Sequence, residues 1–162
     1  MTEFEKIARV LADANVRFIV IGGWAAIFHG LAHSTYDVDM VYCRDRENIR
    51  KLVESLKPLH PYLRGAPPGL PFVFDEATVR NGLNFTLTTD LGKLDLLGEV
   101  PAGRNYQELF PHSIEVEVDG VKYRCATLER LIQMKRAAGR PKDFETIGAL
   151  QALLEERQKR KM

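Results

Sequence analysis

The chain has 162 residues, 45% apolar and 28% charged, with a formal net charge of +1. That balance suits one globular domain, 1–162, and excludes a strongly basic coat, so any nucleic-acid contact must come from a local patch. No stretch reaches the eighteen or so apolar residues that span a bilayer, and MTEFEKIARVLADANV lacks the features of a signal peptide, so the expected compartment is the cytoplasm with no membrane contact.

The elements follow in order. Phe4, Ile7, Ala8 and Leu11 have the spacing of an amphipathic helix over 2–14 with Thr2 as its cap. Arg17 to Ile21 reads as a buried strand, and Gly22-Gly23 then opens a short helix near Trp24. Residues 36–42, YDVDMVY, form the next strand, with Asp37 and Asp39 on one face and Val38, Met40 and Tyr42 on the other. A helix over 45–56 turns Ile49, Leu52, Val53 and Leu56 inward until Pro58 stops it. The proline-rich stretch 58–71 is expected to hold no regular structure and to act as a stiff connector.

Residues 72–80 read as an extended piece and a helical turn. LNFTLTT (83–89) and KLDLL (93–97) then form a hairpin around Asp90–Lys93. Residues 98–113 read as loop. IEVEV and VKYRC join through Asp119-Gly120, a pair suited to a type I′ turn, at a sheet margin. Thr127 caps a helix ending at Gly139. Pro141 starts the last helix, expected to turn Phe144, Ile147, Leu150 and Leu153 inward. Cys43 and Cys125 lie in strand-like runs without metal-ligand spacing and read as reduced core residues. The pattern as a whole predicts an α/β (α+β) fold with a mixed sheet, helices mainly on one side, and C-terminal helices closing a cleft.

The chemistry concentrates in the carboxylates. Asp37 and Asp39 lie about 7 Å apart along one strand face and can share hard cations; left unscreened, they would repel each other. Asp95, between Leu94 and Leu96, adds a third carboxylate if its strand lies beside the first. No GxxxxGK[ST] or GxGxxG follows the glycines, so P-loop and dinucleotide readings fail. His29 and His33 lack the Glu, the unbroken helix and the further ligands that zinc would need.

Gly22 to Gly30, Gly-Gly-x-Ala-x-x-x-His-Gly, followed by Thr35-x-Asp37-x-Asp39, resembles the nucleotidyltransferase superfamily of the DNA polymerase β type. Within it the chain is most similar to small bacterial proteins related to AbiEii-type toxins. MKRAAGRPKDF matches these proteins too, so the likeness runs from Phe18 to about Leu150, the expected core being 17–150. The resemblance implies an enzyme that transfers a nucleoside monophosphate from an NTP, ATP among the candidates, to a hydroxyl. It implies that Asp37, Asp39 and Asp95 are catalytic and hold Mg²⁺ or Mn²⁺, with Asp95 also placed to take the proton from the nucleophile. Gly22, Gly23, Thr35, Lys135, Arg140 and Lys142 would bind the nucleotide. Gly23 stands where the superfamily often has Ser, which leaves the triphosphate to backbone amides and a helix start. His33 stands where relatives usually carry Arg.

The implied acceptors are an RNA or tRNA end or a protein hydroxyl, and the implied partner is a cognate antitoxin. Lys135, Arg136, Arg140 and Lys142 also fit a solvated basic turn favoured by a helix C-terminus, with Asp143 pinning the next helix, and the tail EERQKRK fits a solvated helix end. Two other readings stay open: a non-catalytic nucleotide-binding or regulatory module on the same fold, and an interaction protein that uses the 58–71 loop as its contact surface.

Overall fold

The computed structural model describes residues 2–32, 35, 37–102 and 104–161, so His33 lies outside the described residues. Helix α1 (Glu3–Asp13) starts in a reciprocal capping box between Thr2 and Glu5 and buries Phe4, Ile7, Ala8 and Leu11, as its spacing predicts. Strand β1 (Phe18–Ile21) is buried at all four positions. It is followed by α2 (Gly22–Phe28), β2 (Asp37–Tyr42) and α3 (Arg46–Leu56), the last capped by the Asp45 side chain.

The stretch 58–71 is not wholly irregular, contrary to expectation. Tyr62 and Leu63 form β3 and pair with Thr88 and Leu87 of β4 (Asn84–Thr89). The prolines flank this two-residue strand, and as the edge of the sheet it needs few ladder bonds. Between them lies α4 (Glu76–Asn81), and β4 turns back into β5 (Gly92–Leu97) as an antiparallel hairpin.

The 98–113 segment also departs from expectation. Asn105 caps a four-residue helix, α5 (Tyr106–Leu109), which buries Tyr106 and Leu109. Strands β6 (Ser113–Val118) and β7 (Val121–Ala126) form the predicted hairpin, with Asp119 and Gly120 both at positive φ as a type I′ turn requires. Thr127 caps α6 (Leu128–Ala138), which ends at left-handed Gly139. A single 3₁₀ turn from Pro141 leads into α7 (Phe144–Arg160).

The seven strands lie in the order β3-β4-β5-β2-β1-β7-β6. β2 runs antiparallel to β1 and parallel to β5, and β1 runs parallel to β7, so the sheet is mixed as expected. Val38, Met40, Leu94 and Leu96 project from β2 and β5 into the main core with the inward residues of α1 and α3. Each such buried side chain contributes roughly 1.5–3 kcal/mol, which fixes the register and so places the alternate residues of β2 and β5 on the opposite face. A smaller core joins Ala26, Leu128, Ile132, Ile147 and Leu150 and packs α6 and α7 on α2.

One inward assignment fails. Phe144 is 64% exposed, and Asp143 is the buried residue at that end of α7, because the helix is entered through a 3₁₀ turn that shifts its first residue out of the inward stripe. Cys43 and Cys125 are buried thiols. No helix among the described residues is long and apolar enough to cross a membrane.

Candidate active site

The parallel pairing of β2 with β5 sets Asp39 beside Asp95 and Asp37 beside Lys93. Asp39 and Asp95 are thus neighbours on one face, with Asp37 two residues back along the strand. The Asp39 carboxyl is pushed up to about 7, first by burial, then by the hydrogen bond and charge of Asp95 and the charge of Asp37, while Lys135 opposes the shift.

The glycine turn makes room for these groups. Gly22 has φ +70°, and a Cβ there would collide with Asp39 Oδ2. A Cβ on Gly23 would lie 2.8 Å from Thr35 Cβ and 2.9 Å from Thr35 Oγ1. Thr35 Oγ1 in turn donates a long bond to the Asp37 carbonyl at 3.4 Å.

The opposite wall comes from α6 and the turn after it. Asp143, almost fully buried, accepts from Arg140 Nε at 2.8 Å, and its other oxygen lies 3.7 Å from Lys135 Nζ. Asp143 thereby ties two of the basic residues to the start of α7, extending the pinning role read from the sequence. Lys142 is exposed. A cleft of about 470 Å³ separates the two walls.

All nine residues expected from the sequence to be catalytic or nucleotide-binding line this cleft: Gly22, Gly23, Thr35, Asp37 and Asp39 from the N-terminal third, Asp95 from β5, and Lys135, Arg140 and Lys142 from the C-terminal wall. Sequence reasoning missed the apolar part of the lining, Leu97, Val100, Pro101, Leu131 and Met134. Leu97, Leu131 and Met134 have the pattern of ordinary core residues, Val100 and Pro101 fall in a stretch read as loop, and only the position of the cleft gives them a role.

Arg64 was also missed. Its Nη2 lies 3.0 Å from Asp95 Oδ1, and nothing in the proline-rich stretch signals that contact. His29 is buried and structural: Nε2 meets the Ala126 carbonyl at 2.8 Å, and Nδ1 lies 3.0 Å from Arg157 Nη1. Since Arg157 can only donate, His29 Nδ1 accepts and Nε2–H donates.

The carboxylates fit a hard cation. Asp95 Oδ1 is buried yet makes no well-formed hydrogen bond. A buried carboxylate oxygen without a hydrogen-bond partner, beside a second carboxyl whose pKa burial and like charge raise, gains from further positive charge. Among the described residues no three His, Cys, Asp or Glu side chains already converge as a complete ion cage. A cation here would therefore also need oxygens from its substrate, as nucleotide-bound magnesium usually has.

A family model described as "Nucleotidyltransferase of unknown function (DUF6036)" matches residues 1–156. Comparison with curated proteins gives no match. Among solved structures, the lincosamide antibiotic adenylyltransferase LnuA, lincomycin-bound, aligns with a TM-score of 0.62 at 17% identity, over 93% of this chain and 96% of that one. A candidate nucleotidyltransferase from Thermotoga maritima, TM1012, aligns with a TM-score of 0.58 at 20% identity over 96% of each chain. The antibiotic-resistance factor ANT(2″)-Ia aligns with a TM-score of 0.54 at 16% identity, over 96% of this chain and 91% of its own. At these identities the likeness is one of fold.

Proposed function

The chain belongs to that family of nucleotidyltransferases, and from this premise we propose that its cleft transfers a nucleoside monophosphate from an NTP to a hydroxyl and releases pyrophosphate, in a single domain whose catalytic core is 17–150. The observation that supports this reading is the meeting of Asp39 and Asp95 opposite Lys135, across a cleft floored by Gly22 and Gly23. Chain segments far apart in sequence supply the two kinds of group that phosphoryl transfer needs: carboxylates for a divalent cation, and positive charge for the phosphates.

In this reading the triphosphate lies against Gly22 and Gly23, where the missing side chains let it approach the backbone. Thr35 Oγ1 and Lys142 contact its oxygens, and Lys135 and Arg140, held by Asp143, face the charge that builds on the departing pyrophosphate. The acceptor hydroxyl sits beside Asp95, which takes its proton as oxygen bonds to the α-phosphorus and the bond to the β-phosphate oxygen breaks. A divalent cation, Mg²⁺ or Mn²⁺, held by Asp37, Asp39 and Asp95 would screen the phosphate charge. The expected compartment remains the cytoplasm.

An RNA or tRNA end, a protein hydroxyl, a cognate antitoxin and a toxin role rest on the AbiEii-like sequence resemblance. The apolar wall of Leu97, Val100, Pro101, Leu131 and Met134 favours a second reading of the acceptor, a compact hydroxyl-bearing small molecule that buries an apolar face. LnuA is seen with lincomycin, and ANT(2″)-Ia with adenylyl-2″-tobramycin.

The protein incubated with Mg²⁺ and each NTP, against pools of RNA, protein and small hydroxyl compounds, tests these readings by the mass of one added nucleoside monophosphate. Modification confined to RNA or protein would remove the small-molecule reading. No modified product in any pool would count against transfer.

A further inference from the structure

The groups used above come from the glycine turn, β2, β5 and the C-terminal wall; Arg64 reaches the same carboxylates from the far edge of the sheet. It follows directly on β3, and its N–H donates to the Thr86 carbonyl at 3.0 Å, extending the β3–β4 pairing by one residue. Thr86 is the register partner of Asp95, and Asp95 of Asp39. Arg64, Thr86, Asp95 and Asp39 therefore stand in one row across four adjacent strands.

The Arg64 side chain reaches past Thr86 along this row. Its Nη2 donates to the Leu87 carbonyl at 2.7 Å and lies 3.0 Å from Asp95 Oδ1, and both side chains are only 22% exposed. The pair is close in charge but open in hydrogen bonding, since Arg64 Nε and Asp95 Oδ1 are both buried without a well-formed partner. Arg–carboxylate pairs frequently close as a two-pronged fork, which here would use both atoms. The Leu87 carbonyl instead holds the guanidinium beside Asp95, where its charge faces Oδ1 without a closed hydrogen bond.

We infer that Arg64 tunes the cation affinity of the site: its guanidinium stands over Asp95 Oδ1 without closing a hydrogen bond, and its positive charge competes with a divalent cation for the Asp37–Asp39–Asp95 row. This rests on the nucleotidyl-transfer reading of the cleft. The alternative is an anchor that only fastens β3 to β4 through the Leu87 carbonyl.

Mn²⁺ titration of the full-length protein, followed by electron paramagnetic resonance, separates the two roles, with thermal melts confirming that each variant is folded. Arg64→Gln and Arg64→Met both remove the charge, so either serves if the other does not fold. The expected result is Mn²⁺ affinity raised about tenfold, the scale of deleting one positive charge a few ångströms from the ligands. Arg64→Lys should stay near wild type, and the gain should disappear in an Asp95→Asn background.

Unchanged or weaker Mn²⁺ binding in the neutral variants would overturn the inference, as would equal effects of Lys and Gln or a gain that persists without Asp95. Wild-type protein that binds no Mn²⁺, alone or with an NTP, would remove the reading of the cleft together with it. Wild-type binding that ignores Arg64 would remove the inference alone.

Discussion

The Asp39 carboxylate occupies the space into which a Cβ on Gly22 would project. Gly22 also sits at φ +70°, so Gly22→Ala combines a left-handed backbone with a collision. It is expected to cost about 2–3 kcal/mol in urea denaturation and to displace Asp39, abolishing Mg–NTP binding by calorimetry.

Gly23 follows similar logic through Thr35. A Ser in its place would drive its Cβ to 2.8 Å from Thr35 Cβ. Gly23→Ser should therefore destabilise the chain, and adding Thr35→Gly should restore most of the loss, as a double-mutant cycle of melting temperatures can show.

Stability should depend on pH through Asp39, whose carboxyl is raised from 3.8 to about 7. Between these values the folded state holds a proton that the unfolded state has lost, so this contribution is complete below pH 4 and disappears as pH rises through 7. The loss is on the order of 4 kcal/mol and should be absent from Asp39→Asn in the same series of urea melts. Saturating Mg²⁺ should flatten the dependence, because the ionised carboxylate then has its countercharge.

His29 runs the other way. Burial lowers its pKa from 6.5, the Ala126 bond opposes the shift, and Arg157 lowers it further. Its contribution is present above pH 6.5 and disappears as pH falls through the lowered value. Arg157→Ala, which also removes the 2.7 Å bond to the His29 carbonyl, should raise the His29 pKa in an NMR titration and destabilise the docking of α7.

Asp143 holds both Arg140 and Lys135. Asp143→Ala leaves Lys135, itself only 16% exposed, without this partner. A loss of about 1–3 kcal/mol is expected, with weaker Mg–NTP binding and intact Mn²⁺ binding.

The parts of the fold written in local pattern were legible in the sequence. Alternation put Asp37 and Asp39 on one face, and the capping residues Thr2 and Thr127 marked helix starts where they occur. Elements with weak local signals were not: β3 is two residues between prolines, and α5 is a single turn announced only by Asn105. Phe144 misled because its spacing with Ile147 and Leu150 is helical, while the 3₁₀ entry to α7 buries Asp143 in its stead. Arg64 was illegible because its partner is set by strand order, with β4 lying between β3 and β5.

The measurement that tests the account most directly is transfer of label from α-³²P-labelled NTPs, with pyrophosphate release followed in parallel and Asp39→Asn as the control. Label entering an acceptor in step with pyrophosphate, and lost in Asp39→Asn, is the predicted result. Label transfer that survives Asp39→Asn would contradict the assignment of the cleft, and Mg–NTP bound without transfer to any acceptor pool would contradict catalysis.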